Sequence, residues 1–341
     1  MNWAVSLSAI MLAMTLSWIL TLAARCYALR RQMLDTPNRR SSHAVPRPRG
    51  LGVGFVLCLL AWTLASFWLF PSDSRLWVAL FGGGLLVGVV GWVDDRKGLS
   101  SGVRLLFYGL ASAWAVGWLG GLPELSLGFA SAHLGVFGYV LAWVGVFTLT
   151  NIYNFMDGID GLAAAEGVFV TAAAGTLLFL SGAEGVALFC WVLAAALIGF
   201  LPWNWAPAKG FMGDVGSNFL GFTIAVLAIA SEGRHSLPAL IWVLLLGVFV
   251  VDGVATFVRR LLRHKPPHEA HKTHAYQGAV QRGYSHSTVT LAVLLIDAVL
   301  AALAWAACKY PVLLLPSIGG AFLLLLVLHW YYSPLRRPEN G

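Results

Sequence analysis

A helix needs roughly 20 apolar residues to cross the hydrocarbon core of a bilayer. This chain supplies such runs almost end to end, and each run stops at a short break rich in Gly, Asp or basic residues. Eleven segments qualify: 3–24, 51–70, 76–93, 104–121, 134–153, 162–180, 185–203, 218–231, 238–258, 288–307 and 312–330. The eighth is short and is expected to begin inside the Gly-rich break before it. The expected fold is all-α, a polytopic integral membrane protein of about eleven transmembrane helices. Only 11% of residues are charged, against about 25% in a soluble domain. Length alone admits about two domains, but the spans leave no soluble segment for a second. A single transmembrane domain over 1–341 is expected.

Charge sets the orientation. If the breaks at 25–50, 94–104, 154–161, 201–217 and 259–287 and the C-terminal tail share one side, that side holds nineteen Lys and Arg. The other keeps only Arg75, Arg234 and Lys309. The positive-inside rule then predicts a periplasmic N-terminus, a cytoplasmic C-terminus and cytoplasmic Asp-rich breaks. The net charge of +7 is thereby explained without nucleic acid. The run Trp3 to Ala24 lacks the basic n-region of a signal peptide and is too long for an h-region, so it reads as a membrane helix. Cys26, Cys58, Cys190 and Cys308 form no C-x-x-C pair, which argues against zinc or a disulfide framework. Trp3, Trp77, Trp203 and Trp330 near span ends read as interfacial anchors.

The acids in the breaks carry the chemistry. An unpaired acid buried beside a bilayer costs several kcal/mol, so five such residues suggest a cation, a phosphate chemistry or both. Asp94-Asp95 ends the third span. Adjacent carboxylates repel and favour a bound cation or a raised pKa on one partner; a solvated helix end beside Arg96 and Lys97 is the plainer alternative. The next break runs from Asn151 through Asn154, Asp157, Gly158 and Asp160 to Gly161. Asp157 and Asp160 would share one face of a helical turn, or either would cap the sixth span. In Phe211-Met212-Gly213-Asp214-Val215-Gly216-Ser217, backbone N–H groups and a hydroxyl before a helix can cradle phosphate. Asp214 can hold a hard divalent ion. Phe211 can stack a base or simply pack. Two basic loops complete the same side, one from Asp35 to Gly52 and one holding His264, His268, His271, His274 and His286. Zinc is disfavoured in the second, because no cysteine joins the histidines. Asp252 and Asp297 lie inside spans, as paired structural acids or as cavity-lining groups.

In this order, the motifs resemble the bacterial polyprenyl-phosphate N-acetylhexosamine-1-phosphate transferases, the MraY/WecA family of glycosyltransferase 4. The resemblance rests on Asp35-x-Pro37-Asn38, His43, Pro46-x-Pro48-Arg49-Gly50, Asp94-Asp95, Asn154 to Gly161, Phe211 to Ser217, Asp252 with Arg259-Arg260, and the His loop. It implies transfer of a phospho-sugar from a UDP-N-acetylhexosamine to undecaprenyl phosphate, releasing UMP at the cytoplasmic face of a bacterial inner membrane. It also implies Mg²⁺, or Mn²⁺ in its place, and a homodimer in some members. By the resemblance, Asp214 is the metal ligand, and Asp94, Asp95, Asp157, Asp160, His271 and His274 are catalytic. Asp35, Arg39, His43, Arg49, Asn154, Phe211, Gly213, Ser217 and Arg259 bind substrate, with Phe211 at the uracil. Two departures, Gly50-Leu51-Gly52 for a Gly triplet and His274-Ala275-Tyr276-Gln277 for a triple His, look like the branch that initiates O-antigen or other surface polysaccharides. The sugar stays open among GlcNAc, GalNAc, QuiNAc and FucNAc. Two dianionic phosphates must meet, and a metal with basic side chains offsets their repulsion. Direct attack with Asp94 as base and a covalent Asp intermediate are both compatible with the sequence. The rival class is a secondary transporter, but transport sites lie near the midplane on broken helices, whereas these acids sit at helix ends.

Overall fold

The computed structural model describes residues 3–35, 45–264 and 272–334. It is almost wholly helical. In chain order the elements are α1 (Trp3–Arg30), β1 (Leu34–Asp35), β2 (Arg47–Pro48), α2 (Val53–Leu69), α3 (Ser74–Lys97), α4 (Ser101–Leu119), β3 (Glu124–Ser126), β4 (Ser131–His133), α5 (Phe137–Phe155), α6 (Leu162–Leu180), α7 (Glu184–Asn204), α8 (Gly213–Gly233), α9 (Ala239–Leu245), α10 (Gly247–Leu262), α11 (Ala275–Gln281), α12 (His286–Lys309) and α13 (Leu314–Tyr332). The strands form two short antiparallel ribbons, with Leu34 opposite Pro48 and Leu125 opposite Ala132.

Each of the eleven predicted segments falls on a helix. Among the described residues, eight helices are long and apolar enough to cross a membrane, or nine if α9 and α10 form one span. The chain is a multi-pass membrane protein. α8 begins at Gly213, inside the Gly-rich break as expected, so Asp214 belongs to its first turn. Two details differ from the sequence reading. The ninth segment is bent by 82° between α9 and α10, a change of direction that hydropathy does not register. Trp77 is fully buried, stacked on Phe189 with its indole N–H donating to the Phe70 carbonyl at 2.9 Å, so it is a core residue and not an interfacial anchor. Cys58 and Cys190 are buried, as small apolar residues.

The most enclosed span is α8, with 94% of its apolar window buried, against 17% for α13. α3 and α5 run along it. Their closeness depends on glycine: a Cβ at Gly91 would lie 2.6 Å from the Val215 nitrogen and the Asp214 carbonyl, and one at Gly221 2.6 Å from the Leu149 carbonyl. Small residues let helix backbones approach where lipid gives no hydrophobic drive. The C-terminal ends of α3 and α5 therefore meet the N-terminal ends of α4 and α8, and the acids at those ends converge.

Candidate active site

Asp214, in the first turn of α8, is the hub. Its Oδ1 accepts from Arg49 Nη2 at 2.6 Å and from Asn154 Nδ2 at 3.2 Å, and its Oδ2 from Arg104 Nη1 at 2.7 Å. The same Arg104 nitrogen reaches Asp94 Oδ2 at 3.0 Å. Asp94 and Asp214 lie within hydrogen-bonding reach of each other. One guanidinium nitrogen thus bridges two carboxylates from different helices, a charge-assisted arrangement. Asn154 also donates to Ser217 Oγ at 2.8 Å, and that hydroxyl donates to the Gly213 carbonyl at 3.0 Å.

Asp95 faces the other way. Its carboxylate accepts from Asp214 N at 3.0 Å and Val215 N at 3.1 Å and pairs with Arg49 Nε at 2.7 Å, with no side-chain exposure. It fills the N-terminus of α8, satisfying amides that a helix leaves open there. The phosphate cradle expected from Gly213 to Ser217 is therefore already occupied by a side chain of the protein. Gly213 has φ of +76°, and a Cβ there would collide with Asp95 and Gly50, so glycine is required for this approach.

Asp157 and Asp160 do not share a face. The chain leaves α5 at Phe155 and turns through Gly161 at φ +82°, so helical spacing does not apply. Asp157 sits beside the hub. Burial, then Asp214 and Asp95, push its carboxyl well above the usual range, against the pull of Arg49. Among the described residues no cation or amide meets that carboxyl. Asp160 belongs to a second cluster: Oδ2 accepts from Ala208 N at 2.9 Å and Arg47 Nη1 at 3.0 Å, and Oδ1 lies 3.5 Å from His286 Nδ1. Burial alone would raise its pKa, but His286, the Ala208 amide and Arg47 outweigh burial and lower it to about 2. The Arg47 guanidinium stands 5.9 Å from the centre of the Phe211 ring. The Phe211 backbone is tied to the first basic loop by Phe211 N to the Pro48 carbonyl at 2.8 Å and Leu51 N to the Phe211 carbonyl at 3.0 Å.

Residues 77–232 match the family model described as Glycosyl transferase family 4. A Yersinia pestis protein named undecaprenyl-phosphate alpha-N-acetylglucosaminyl 1-phosphate transferase is 31% identical over 290 residues, covering 82% of this chain and 78% of its own length. The Bacillus subtilis (strain 168) protein named as a probable undecaprenyl-phosphate N-acetylglucosaminyl 1-phosphate transferase is 29% identical over 282 residues, and its Escherichia coli (strain K12) counterpart 26% over 298, with the same coverage. The chain belongs to glycosyl transferase family 4. The matched region contains Asp94, Asp95, Asn154, Asp157, Asp160, Phe211 and Asp214, and also Arg104, which the sequence reading missed.

The remaining family motifs are placed apart from the hub or at its edge. Asp35, on β1, adds to the negative field that holds the Arg49 charge against burial. Arg259 donates to Ser333 Oγ at 2.5 Å, beyond the end of α13. His274 caps α11, with its Nδ1 3.3 Å from Asp252 Oδ1. Asp252 also accepts from Ala275 N at 2.9 Å and meets His329 Nδ1 at 3.1 Å. This is a structural clasp joining α10, α11 and α13. Asp297 faces Glu166 across the α6–α12 interface, both fully buried. Arg39, His43 and His271 lie outside the described residues. Arg104 is the only charged residue in α4, and that isolation, ten residues after Asp94, was the available signal. Arg47 and His286 carried none beyond their basic loops.

Proposed function

We propose that this member of the family transfers N-acetylglucosamine 1-phosphate from UDP-GlcNAc to undecaprenyl phosphate, giving the lipid diphosphate sugar and UMP. The observation that carries the reading is the set of carboxylates and arginines at adjoining helix ends, where a membrane-held phosphate and a soluble nucleotide can meet. The names of the three relatives favour GlcNAc among the sugars left open by the sequence. The two motif departures support a role in initiating O-antigen or a related surface polysaccharide. The lysine and arginine asymmetry supports an inner-membrane setting with this site facing the cytoplasm.

The residues present suit magnesium. Four carboxylates, Asp94, Asp95, Asp157 and Asp214, face two guanidinium groups, Arg49 and Arg104, leaving a deficit that a divalent cation matches. Mg²⁺ is commonly bound through one or two carboxylates plus substrate phosphates rather than in an all-protein cage, and Asp214 with Asp94 provides that pair. When bound, the ion would neutralise phosphate charge at the transferred group.

The reaction forms a bond from a lipid-phosphate oxygen to the sugar-bearing β-phosphorus. The bond from that phosphorus to the bridging oxygen breaks, and UMP leaves with its electron pair. Arg49 and Arg104, whose side chains are 36% and 29% exposed, can turn their open edges to the diphosphate while their inner nitrogens keep the acids in place. The base role expected for Asp94 passes to Asp157. Asp94 is committed to the Leu99 amide at 2.5 Å and to Arg104, whereas the Asp157 carboxyl is uncommitted and has a raised affinity for a proton. Asp157 can accept the lipid phosphate's proton as the attacking oxygen becomes the diphosphate bridge. Asp95 serves as a positioning residue. Phe211 supplies the ring for uracil.

Purified protein in detergent tests the reading. UMP release should require UDP-GlcNAc, polyprenyl phosphate and Mg²⁺ together. Absence of UMP with all three present, or full turnover by Asp214→Ala, would defeat it. A radiolabelled phospho-sugar trapped on the protein would replace direct attack by a covalent route.

A further inference from the structure

An apolar opening lies away from the Asp214 hub, with Asp252 and His329 in its wall. A cavity of about 360 Å³ lies among α10, α11, α12 and α13, within the size range of ligand sites. Its lining is almost entirely apolar, so water is a poor occupant. Its mouth follows one stripe of α12: Thr288, Ala292 and Leu295 are exposed, and Leu295 is 72% exposed. That face of a membrane-spanning helix meets lipid. His286 at the start of α12 touches Asp160, so the mouth begins at the level of the candidate active site. Leu295, nine residues further on, lies about 14 Å deeper, within one leaflet of a hydrocarbon core about 30 Å thick.

A cation stands at the shallow end. Arg282 follows α11, is exposed, and lays its guanidinium over the rings of Tyr331 at 4.6 Å and Tyr332 at 5.1 Å. Tyr332 lines the cavity. Arg282 donates to the Tyr331 carbonyl, and among the described residues no carboxylate pairs with it. A fixed cation above a lipid-facing apolar slot is the complement of an anionic amphiphile. At the inner wall, Tyr276 donates its hydroxyl to the Phe155 carbonyl at 2.9 Å, beside the loop that carries Asp157.

We propose that this cavity binds one anionic phospholipid of the bilayer, with an acyl chain between α10, α12 and α13 and its phosphate on Arg282. The polyprenyl acceptor is the weaker occupant, because its phosphate must reach Asp94 and Asp214, and α3 and α8, which carry them, take no part in this cavity. The lipid would brace α11 against the catalytic loop through Tyr276. This assignment stands whether or not the proposed reaction is correct.

Native mass spectrometry and thermal unfolding of the full chain test it, after delipidation in detergent and re-addition of dioleoyl phosphatidylglycerol or dioleoyl phosphatidylcholine. The unsubstituted protein should retain one phosphatidylglycerol, bind it at least fivefold better than phosphatidylcholine, and unfold at a higher temperature with it. Arg282→Gln, a surface change, should remove that preference. Ala292→Trp, which plugs the mouth from an exposed position, should remove retention of both lipids while the acceptor KM stays within twofold. Equal retention of the two lipids by the unsubstituted protein would overturn the proposal, as would phosphatidylglycerol retention indifferent to both substitutions. A tenfold rise in acceptor KM in Ala292→Trp with phosphatidylglycerol still bound would assign the cavity to the polyprenyl chain instead.

Discussion

Asp95 separates a chemical role from an architectural one. In Asp95→Ala the Asp214 and Val215 amides in the first turn of α8 lose their acceptor and Arg49 loses one of its two carboxylates. A lost N-cap costs about 1 kcal/mol, and a lost hydrogen bond to a charged group about 1.5–3 kcal/mol. The expected total, about 2.5–4 kcal/mol, overlaps the roughly 3–5 kcal/mol seen when one partner of a buried ion pair is removed. Asp95→Asn keeps one carbonyl oxygen for an amide of α8 and should cost about half as much. Asp94→Ala forfeits only the Leu99 amide and one side of Arg104, which retains Asp214, and should cost less than Asp95→Ala. Equilibrium unfolding in mixed detergent and SDS, followed by tryptophan fluorescence, ranks the three variants. The same preparations give kcat and KM, and Asp95→Asn should retain measurable turnover in proportion to the folded α8 terminus. An Asp95→Ala protein as stable as the parent but wholly inactive would refute the reasoning and return Asp95 to the reacting groups.

Three further outcomes follow from the same geometry. Gly91→Ala should lower both stability and activity, because its Cβ meets backbone of α8 at 2.6 Å and helices cannot yield as a flexible side chain would; unaltered turnover would show that α3 and α8 need not be this close. Asp157→Asn should cut turnover about 100-fold or more without loss of unfolding free energy at neutral pH. The folded state raises the proton affinity of Asp157, so its ionised form destabilises the fold above the ordinary carboxylate pKa. In the parent enzyme activity should fall toward acid along a limb above the usual carboxylate range, and in Asp157→Asn that limb should be absent from the residual rate. Asp160 has the opposite sign: its folded pKa of about 2 lies below the unfolded value near 3.9, so about 2–3 kcal/mol of stability is present above that value and lost as pH falls through 2. Unfolding of the parent and Asp160→Asn at pH 5–7 should differ by that amount, and the curves should converge toward pH 2.

The apolar runs disclosed the helices because burial in lipid constrains composition over a whole span. They did not disclose direction, so the 82° bend between α9 and α10 passed as one segment. The five acids were legible for a related reason, since carboxylates at the ends of apolar helices need partners. Which partner each one takes was not legible. Asp94 and Asp95 are neighbours in sequence, but successive residues of an α-helix point about 100° apart, which turns Asp94 toward α4 and Asp95 toward α8. Asp157 and Asp160 look like one helical face only if the helix continues, but α5 ends at Phe155, before either residue. The arginines were the least legible. Arg104 read only as part of a charge asymmetry that orients the chain, and Arg49, though marked as substrate-binding by the resemblance, came with no partner among the acids. Their positions place each between two carboxylates drawn from distant segments, Arg49 between Asp95 and Asp214 and Arg104 between Asp94 and Asp214. A guanidinium has enough donors in a fixed plane to serve two acids and still present an edge outward. An amine would hold them as a point charge without fixing their relative orientation. The same two residues can therefore keep α3 and α8 in register before substrate arrives and meet phosphate when it does, and this double duty is why Arg104→Lys should preserve the charge of the site yet loosen its geometry.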